Sequence, residues 1–174
     1  NSINFYARWE PSDEDMDLWL REAGKPFLIT EFYTKAEDSG LSNVNGAGWE
    51  VYTQADRAYH FENFALRLLS HKGSVGWTWF RYIDKDDSNK GILNYDYQWY
   101  TTLLSSMSKI GKDVYNLRRF LMGQELDLAG DPVCFDISSL TFVVSDMLGN
   151  PISEAEVNLS DKSALTDENG ETNV

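Results

Sequence analysis

The sequence predicts an α/β fold followed by a smaller all-β part. Across residues 1–121, short apolar runs alternate with amphipathic segments of helix length, a pattern typical of a parallel sheet with helices packed outside it. The composition then changes. Residues 1–121 hold 14 basic and 17 acidic side chains and 22 of the 24 aromatic residues, whereas residues 122–174 hold 1 basic and 11 acidic side chains. We predict a first domain over residues 1–121, a linker over 122–135 and a second domain over 136–174.

Composition and charge exclude several classes of function. The net charge of −13 argues against nucleic acid as a partner, because binding to phosphates needs a basic surface. The sequence has one cysteine, Cys134, and two histidines, which excludes an internal disulfide and a Cys/His metal centre. The longest apolar runs are far shorter than the ~20 residues of a membrane-spanning helix. We expect no membrane span, no metal site and no cofactor.

The first strand and helix follow from local patterns. Ser2–Trp9 reads as a strand, with Tyr6 and Arg8 on the same face. Ser12, with Asp15 three residues later, predicts a capped helix start. The apolar residues that follow recur at helical spacing, and Gly24 predicts the helix end.

The second strand and helix are separated by a long loop. Pro26–Tyr33 is a continuous apolar run, as expected for a strand buried in a parallel sheet. The stretch Thr34–Tyr52 is rich in Gly, Ser and Asn and is predicted to be a loop. Thr53 and Asp56 form a second capping pattern, which opens a helix with an apolar stripe.

A third strand and helix complete the first domain. Ser74–Phe80 reads as a strand, and Asp84–Asn89 as an acidic loop. The final helix carries a stripe of core residues at helical spacing, which consists of Tyr100, Leu103, Leu104, Met107 and Ile110.

Two architectures fit this order of elements, namely a flavodoxin-like sheet and a section of a (β/α)8 barrel. No glycine-rich phosphate loop follows any strand, which argues against a nucleotide site. Polar and aromatic residues instead gather where the strands end, as in barrels whose active sites lie at the carboxyl ends of the strands. These residues are Tyr6 and Arg8, Glu31, and Trp77, Trp79 and Tyr82. Their placement favours the C-terminal portion of a (β/α)8 barrel.

Glu31 is the candidate catalytic residue. Strict alternation places its side chain on the same face as those of Phe27 and Ile29. An unpaired buried carboxylate is costly, so this group must be hydrogen-bonded, solvated at a rim, or both. Two interpretations remain open. Glu31 is a structural residue paired with Arg8 or Arg81, or it is the nucleophile or general base of a glycoside hydrolase.

The same residues carry a resemblance to a known family. The segment Lys25–Tyr33 followed by Gly76–Phe80 resembles strands seven and eight of a clan-A retaining glycoside hydrolase. The stretches Glu37–Gly40 and Asn45–Trp49 are similar to agarase-related enzymes of polysaccharide-degrading bacteria. The resemblance covers about residues 1–120. It implies that the chain contains about strands six to eight of a (β/α)8 barrel. It also implies that the substrate is a polysaccharide, such as an agar-type galactan, and that Glu31 is the nucleophile.

The resemblance also implies a missing partner for Glu31. In this clan the general acid/base is commonly the glutamate of an Asn-Glu pair at the end of strand four, and no Asn-Glu pair occurs in the sequence. The acid/base would then lie upstream, in the remaining N-terminal barrel segment of the same protein. The fragment alone is expected to be inactive. A secreted, periplasmic or outer-surface location in a bacterium is implied as well.

Seven further residues are predicted to bind substrate, and for several of them a structural role remains open. Tyr6 would donate its hydroxyl to Glu31, or simply pack. Arg8 is a substrate ligand or an ion-pair partner. Trp79 is predicted to be a sugar platform, because an indole face packs against the C–H groups of a pyranose. Trp77 is either such a contact or part of the core.

The last three candidates lie in or near loops. Trp49 would cover a sugar subsite or turn back onto the barrel. Tyr82 is predicted to bind substrate at the end of the third strand, and Asp84, two residues beyond it, would reach sugar hydroxyls. A second functional class remains open for the whole set of aromatic residues, which is a non-catalytic carbohydrate-binding protein.

The acidic tail is predicted to be all-β. Ser139–Ser145 and Ala155–Leu159 read as strands, Met147–Pro151 and Thr166–Gly170 as turns, and the final residues as the beginning of a further strand. The pattern resembles the carboxypeptidase-regulatory-like β-sandwich. A complete sandwich needs about seven strands, so this would be a partial module.

Overall fold

The computed structural model describes residues 1–123, 141–143, 151–159, 162–169 and 171–173. The chain divides into two compact units, Asn1–Leu126 and Asp127–Val174, and the division falls inside the stretch predicted to be a linker. The first unit contains, in chain order, β1 (Ser2–Asn4), α1 (Asp13–Ala23), β2 (Phe27–Phe32), β3 (Thr34–Ala36), β4 (Trp49–Val51), α2 (Gln54–Leu69), β5 (Ser74–Trp79) and α3 (Thr101–Leu121).

The starts of α1 and α2 are closed by the predicted capping boxes. The Asp15 amide donates to the Ser12 hydroxyl at 3.2 Å, and the Asp15 carboxylate accepts from the Ser12 amide at 3.1 Å. Likewise, the Asp56 amide donates to the Thr53 hydroxyl at 3.2 Å, and the Asp56 carboxylate accepts from the Thr53 amide at 2.8 Å. Gly24 ends α1 in the left-handed conformation, with φ of 59°. Both predicted starts and the predicted end of α1 are confirmed, because each depends only on neighbours in the sequence.

The predicted parallel sheet is confirmed as three strands in the order β1-β2-β5, with β2 in the centre. The first strand is shorter than predicted. It ends at Asn4, although the Phe5 amide still donates to the Glu31 carbonyl at 2.8 Å. Beyond Phe5 the chain makes side-chain contacts rather than ladder hydrogen bonds. The Trp9 carbonyl, for example, lies 3.0 Å from the Nε2 atom of His60.

A break in the register of β2 changes which side chains reach the core. Ile29 is paired with Trp77 and Phe32 with Trp79, so β2 contains one more residue than β5 over this interval. As a result Phe32, and not Glu31, joins Phe27 and Ile29 in the core. The prediction that Glu31 shares a face with Phe27 and Ile29 is therefore wrong, because it assumed unbroken alternation.

The core of the first unit lies where the sheet meets the helices. Its aromatic centre is Phe32, whose ring stacks on Phe64 of α2 with centroids 4.0 Å apart. The buried apolar residues of this core are Phe5, Met16, Phe27, Ile29, Phe32, Phe61, Phe64, Ala65, Leu68, Leu103 and Ile110. Residues from β2, α2 and α3 are joined here, which fixes the loops that leave β2 and β5.

The stretch predicted as a loop after β2 contains a small parallel pair. Thr34 of β3 lies opposite Trp49 of β4, and the pair continues to Ala36 and Val51. The Asn43 side chain holds the intervening turn by donating to the Ala36 carbonyl at 2.9 Å. Strands of three residues leave almost no periodic pattern in a sequence, so this pair could not be predicted.

The described residues of the second unit contain two antiparallel pairs of strands. β6 (Thr141–Val143) pairs with β9 (Glu171–Asn173), and β7 (Glu156–Leu159) pairs with β8 (Lys162–Leu165). The predicted strands Ser139–Ser145 and Ala155–Leu159 are confirmed in part by β6 and β7, and the strand predicted to begin at the final residues is confirmed in part by β9. The strand β8 was not predicted.

Parts of the tail predictions cannot be compared with the structure. Most of the predicted linker, 122–135, and most of the predicted turn, 147–151, lie outside the described residues. Among the helices that the structure describes, none has both the length and the apolar composition needed to cross a bilayer.

Candidate functional site

A glutamate and a tyrosine meet at the carboxyl end of the central strand. The Tyr6 hydroxyl donates to Oε2 of Glu31 at 3.1 Å, and both side chains are partly buried. Burial, together with the hydrogen bond to Glu31, raises the pKa of Tyr6 well above its ordinary value, so the phenol keeps its proton and remains a donor. The predicted contact between Tyr6 and Glu31 is confirmed.

The tyrosine is held on both sides along the chain. Phe5, the preceding residue, is in the core, where its ring packs edge-on against Trp19 at 5.7 Å. The ring of Tyr6 packs edge-on against Tyr33 at 5.3 Å. These contacts orient the hydroxyl toward Glu31. The arrangement can orient one carboxylate oxygen and leave the other available for attack on an electrophilic carbon or for proton transfer.

Neither arginine considered as a partner for Glu31 pairs with it in the described part of the chain. Nη1 of Arg8 lies 2.7 Å from the Asp15 carboxylate and 3.2 Å from the Ser12 hydroxyl, at the start of α1. The Arg81 guanidinium lies 5.7 Å from the centre of the Phe80 ring. The structural ion-pair interpretation of Glu31 is therefore wrong. Arg8 does form an ion pair, but with an exposed partner whose contribution to stability is small.

Trp49 contacts the strand end through its ring nitrogen. Nε1 donates to the Arg8 carbonyl at 3.0 Å, while 45% of the residue remains exposed. This bond ties β4 to the segment that carries Tyr6 and Arg8. The predicted sugar contact of Trp49 stays a prediction.

Trp77 and Trp79 both pack against the core through Phe61. Their ring centroids lie 6.4 and 6.2 Å from that of Phe61, so the two indoles share a face as predicted. Trp79 also meets Phe32 edge-on at 5.4 Å and donates from Nε1 to the Lys90 carbonyl at 2.9 Å. Both tryptophans keep some exposed surface. Trp77 has the core role that the sequence left open, and the sugar platform on Trp79 stays a prediction.

Asp84 is buried, and its oxygens are used within the protein. The Gly91 amide donates to Oδ1 at 2.7 Å, the Tyr100 hydroxyl donates to Oδ2, and the Asn89 amide lies 3.4 Å from each oxygen. The sequence predicted a ligand for sugar hydroxyls here. The structure instead gives Asp84 the role of holding the loop after β5 against the start of α3.

Arg57, which was not predicted from the sequence, is a fully buried arginine that supports the loops around the site. Nε donates to the Thr34 carbonyl at 3.0 Å and Nη2 to the Gly91 carbonyl at 2.8 Å. The guanidinium also lies 5.4 Å from the ring centre of Trp79 and 5.0 Å from that of Tyr100. Burial lowers its pKa to about 10, so it stays charged.

One signal in the sequence could have identified this arginine. Arg57 lies four residues before Phe61, on the same stripe of α2 that carries the core side chains. A charged residue on an apolar stripe is almost never fully buried unless it is paired, so it indicates a buried network.

Tyr82 stands apart from the other candidates. It is 62% exposed and meets Trp99 edge-on with centroids 6.4 Å apart. The structure thus brings Tyr6 into contact with Glu31 and Trp49 into contact with Arg8, whereas Tyr82 and Asp84 belong to the loop that follows β5. Within the described residues, no three His, Cys, Asp or Glu side chains are grouped as metal ligands would be.

Known proteins are similar to about two thirds of this chain. No family model matches the sequence. Beta-agarase B of Vibrio sp. (strain JT0107) is 32% identical over 126 residues, which are 67% of this chain and 13% of that protein. The crystal structure of BpGH50 is 47% identical with a TM-score of 0.67, over 70% of this chain and 27% of that one. The structure of an exo-beta-agarase shares the fold, with a TM-score of 0.61 and 23% sequence identity. The match covers 67% of this chain and 16% of that one.

The chain spans only a small part of the length of these relatives. Over about two thirds of the chain, the similarities support an agarase-like glycoside hydrolase region.

Proposed function

We propose that this chain, with its agarase-like glycoside hydrolase region, forms part of a retaining enzyme that cleaves an agar-type galactan and uses Glu31 as its nucleophile. The observation that carries the proposal is the Glu31 carboxylate at the end of the central parallel strand, 3.1 Å from the Tyr6 hydroxyl. The identities of 32% with a beta-agarase and 47% with BpGH50 support it. In this proposal β1, β2 and β5 are strands six, seven and eight of a (β/α)8 barrel.

The reaction would proceed in two steps. A free oxygen of Glu31 attacks the anomeric carbon, and a glycosyl ester forms as the glycosidic bond breaks and an acid protonates the leaving oxygen. Water, deprotonated by that same group, then hydrolyses the ester. Tyr6 acts as a positioning donor, because its bond to Oε2 restricts rotation of the carboxylate and leaves Oε1 to attack.

The second carboxyl group would come from outside these 174 residues. A retaining mechanism needs two carboxyl groups about 5–5.5 Å apart. The sequence holds no Asn-Glu pair of the kind that supplies the acid/base in the clan it resembles. We therefore assign the acid/base to the N-terminal part of the barrel. The chain by itself would bind sugar without cleaving it.

The aromatic residues would provide the sugar contacts. Trp49, Trp79 and Tyr82 each have some exposed ring surface, as a platform for a pyranose requires. Trp77 packs against the core and Asp84 holds the loop after β5, while the exposed guanidinium of Arg8 can donate to sugar hydroxyls.

Two further proposals concern the context of the enzyme. The antiparallel pairs of the second unit are compatible with the start of a carboxypeptidase-regulatory-like β-sandwich appended to the catalytic domain. A polymeric galactan does not cross a membrane, so we place the enzyme outside the cytoplasm of a bacterium, either secreted, in the periplasm or on the outer surface.

A second candidate function is a non-catalytic carbohydrate-binding protein. The exposed rings of Trp49 and Tyr82 favour it, since a binding protein needs aromatic platforms but no pair of carboxyl groups.

The substitution Glu31→Gln in the complete protein separates the two functions. A nucleophile variant should lose about 10³-fold or more of agarose hydrolysis while its affinity for an agarose hexasaccharide stays within about twofold of the original. Glu22→Gln, at an exposed position of α1, serves as the matched control and should leave both unchanged. Full hydrolysis by the Glu31→Gln protein would favour the binding protein or another nucleophile.

Azide provides a chemical test of the same role. In Glu31→Gly the space left by the carboxylate admits azide, which attacks the anomeric carbon in its place. We expect recovered cleavage and a glycosyl azide of inverted anomeric configuration. Recovery of activity without a glycosyl azide would contradict the assignment of Glu31 as nucleophile.

A further inference from the structure

A cavity of about 240 Å³ lies between the starts of α2 and α3, among the loops that follow β2 and β5. Its lining includes Asp38, Gln54, Asn94, Tyr95, Asp96 and Tyr100. Apart from Asp84, it contains none of the residues placed around Glu31 in the proposed function. The cavity is therefore a separate feature of the same loops.

The walls combine the two kinds of group that a sugar needs. Asp38 and Asp96 offer carboxylate acceptors. The Gln54 side chain is already bonded to Asn89 and Arg57, so it shapes the wall and offers no further amide. Tyr95, which is 47% exposed, offers a ring for the C–H groups of a pyranose.

These groups are held before any ligand arrives. Oδ1 of Asn94 accepts from the amides of Asp96 and Gln98, both at 2.9 Å, which fixes the turn that carries Tyr95 and Asp96. The Tyr95 hydroxyl accepts from the Asp87 amide at 2.9 Å. A ligand would therefore lose little affinity to the ordering of this loop.

The opposite wall is equally well held. Oδ2 of Asp38 accepts from the Gln54 amide at 3.0 Å, at the first residue of α2. The Tyr100 hydroxyl donates to the buried Asp84 carboxylate, so its ring is fixed at the start of α3. This wall is thus anchored to the starts of α2 and α3.

An exposed aromatic pair extends the same loop. Tyr82 and Trp99 are 62% and 49% exposed and meet edge-on. The Leu93 amide donates to the Tyr82 carbonyl at 3.0 Å, and Leu93 is paired with Trp99 in a short antiparallel bridge. The pair therefore lies in the same loop as Tyr95 and Asp96 of the cavity wall.

The charge of the lining selects among sugars. Asp38 and Asp96 contribute carboxylates, whereas the Asp84 oxygens are already bonded within the protein, and no lysine or arginine is among the lining residues. Sulfate esters would be repelled here, whereas the hydroxyls of a neutral sugar can donate to the carboxylates.

We propose that this cavity is an auxiliary subsite that binds a neutral galactan oligosaccharide away from Glu31. The inference rests on the proposed function for the class of sugar. It adds a second binding position on the same chain and a preference for unsulfated segments of the polymer.

Titration of the 174-residue chain with a neutral agarose hexasaccharide, followed by calorimetry, tests the subsite. The double variant Tyr95→Ala/Asp96→Asn should bind at least about tenfold more weakly than the original chain. Tyr115→Ala removes an exposed tyrosine of α3 that does not line the cavity, and its affinity should stay within about twofold. A sulfated carrageenan hexasaccharide should bind the original chain at least about tenfold more weakly than the neutral sugar.

Two outcomes would overturn the proposal, namely an unchanged affinity of the double variant or the absence of hexasaccharide binding by the original chain. If the double variant loses its fold by circular dichroism, the exposed single variant Asp96→Asn replaces it under the same criterion. Agarose hydrolysis by the complete protein separates this inference from the proposed function. If the complete protein hydrolyses agarose but the double variant binds the hexasaccharide as well as the original chain does, the subsite alone is overturned. If the double variant binds more weakly but the complete protein does not hydrolyse agarose, the proposed function alone is overturned.

Discussion

The Tyr6–Glu31 pair is the smallest unit that links this fold to chemistry. A carboxylate at the end of a strand can rotate, and one hydrogen bond from a fixed phenol restricts it. The phenol is a suitable donor because burial and the neighbouring carboxylate hold its pKa high. The pair therefore orients the Glu31 carboxylate without neutralising its charge, whereas a paired arginine would have neutralised it.

Tyr6→Phe in the complete protein tests this positioning role. We expect kcat for agarose to fall about tenfold with KM nearly unchanged, because the hydroxyl orients Glu31 and does not touch the sugar. Tyr115→Phe is the matched control. A rise in KM at constant kcat would instead identify Tyr6 as a substrate ligand.

His60 is a second residue whose surroundings have a measurable consequence. It is almost fully buried beside Trp9 and Phe64, and Nδ1 has no hydrogen-bond partner among the described residues. Nε2 must carry the proton in the neutral ring, because its neighbour is the Trp9 carbonyl at 3.0 Å. Burial lowers the pKa of His60 to about 4, below the ~6.5 of an unfolded histidine.

The pH dependence of stability should report this buried histidine. Between pH 6.5 and 4 the unfolded chain binds a proton that folded His60 does not, so acidification favours unfolding. Between pH 7 and 4.5 we expect this residue to cost about 2–3 kcal/mol of unfolding free energy. Urea unfolding of the original chain and of His60→Gln at both pH values measures it. An equal loss in the two proteins would contradict the depressed pKa.

At the scale of elements, α2 organises the loops that carry the site. Arg57 in its first turns donates to carbonyls in the segments after β2 and after β5, and it contacts Trp79 and Tyr100. The loop after β2 is further held by the β3–β4 pair. Two loops that are distant in sequence are thereby fixed to one helix, which is how a rigid scaffold can present binding residues on loops.

Arg57→Met should be strongly destabilising. The change removes the donors to two buried carbonyls and the positive charge near the buried Asp84, so we expect a loss of about 3–5 kcal/mol. Arg67→Met, on the same helix with a more exposed ion pair, should cost about 1 kcal/mol or less. Urea denaturation at pH 7 compares the two. Similar losses would mean that the buried network contributes no more than a surface pair.

At the scale of the whole molecule, charge is unevenly distributed along the chain. Residues 1–121 have a net charge of −3, whereas residues 122–174 have a net charge of −10. An excess of like charge destabilises compact states through self-repulsion.

Salt should therefore stabilise the chain. Raising NaCl from 10 to 150 mM shortens the screening length from about 30 to about 8 Å, and we expect the unfolding free energy to rise by about 1 kcal/mol. Calorimetry in NaCl and in KCl should give equal shifts, since screening does not depend on the cation. A fall in the thermal midpoint would show that attractive pairs outweigh the repulsion.

Much of this fold follows from short-range chemistry and could be predicted from the sequence. The caps at Ser12 and Thr53 and the stop at Gly24 depend on side chains within three residues, so the helices begin and end where the sequence predicts. The parallel sheet follows from the alternation of apolar runs with helix-length segments. Glu31 could be identified from the sequence as the candidate catalytic residue because it lies at the end of a predicted strand.

Other features depend on contacts between distant segments, and only the tertiary structure decided them. The extra residue in β2 brings Phe32 rather than Glu31 into the core, because β2 must fit the register of β5. Arg8 pairs with Asp15, and Arg57 is buried where a surface charge would be expected, because partners approach from other elements. A sequence pattern indicates which faces of an element are apolar. The hydrogen-bond partner of a buried polar group, however, comes from a distant segment and is determined only by the tertiary structure.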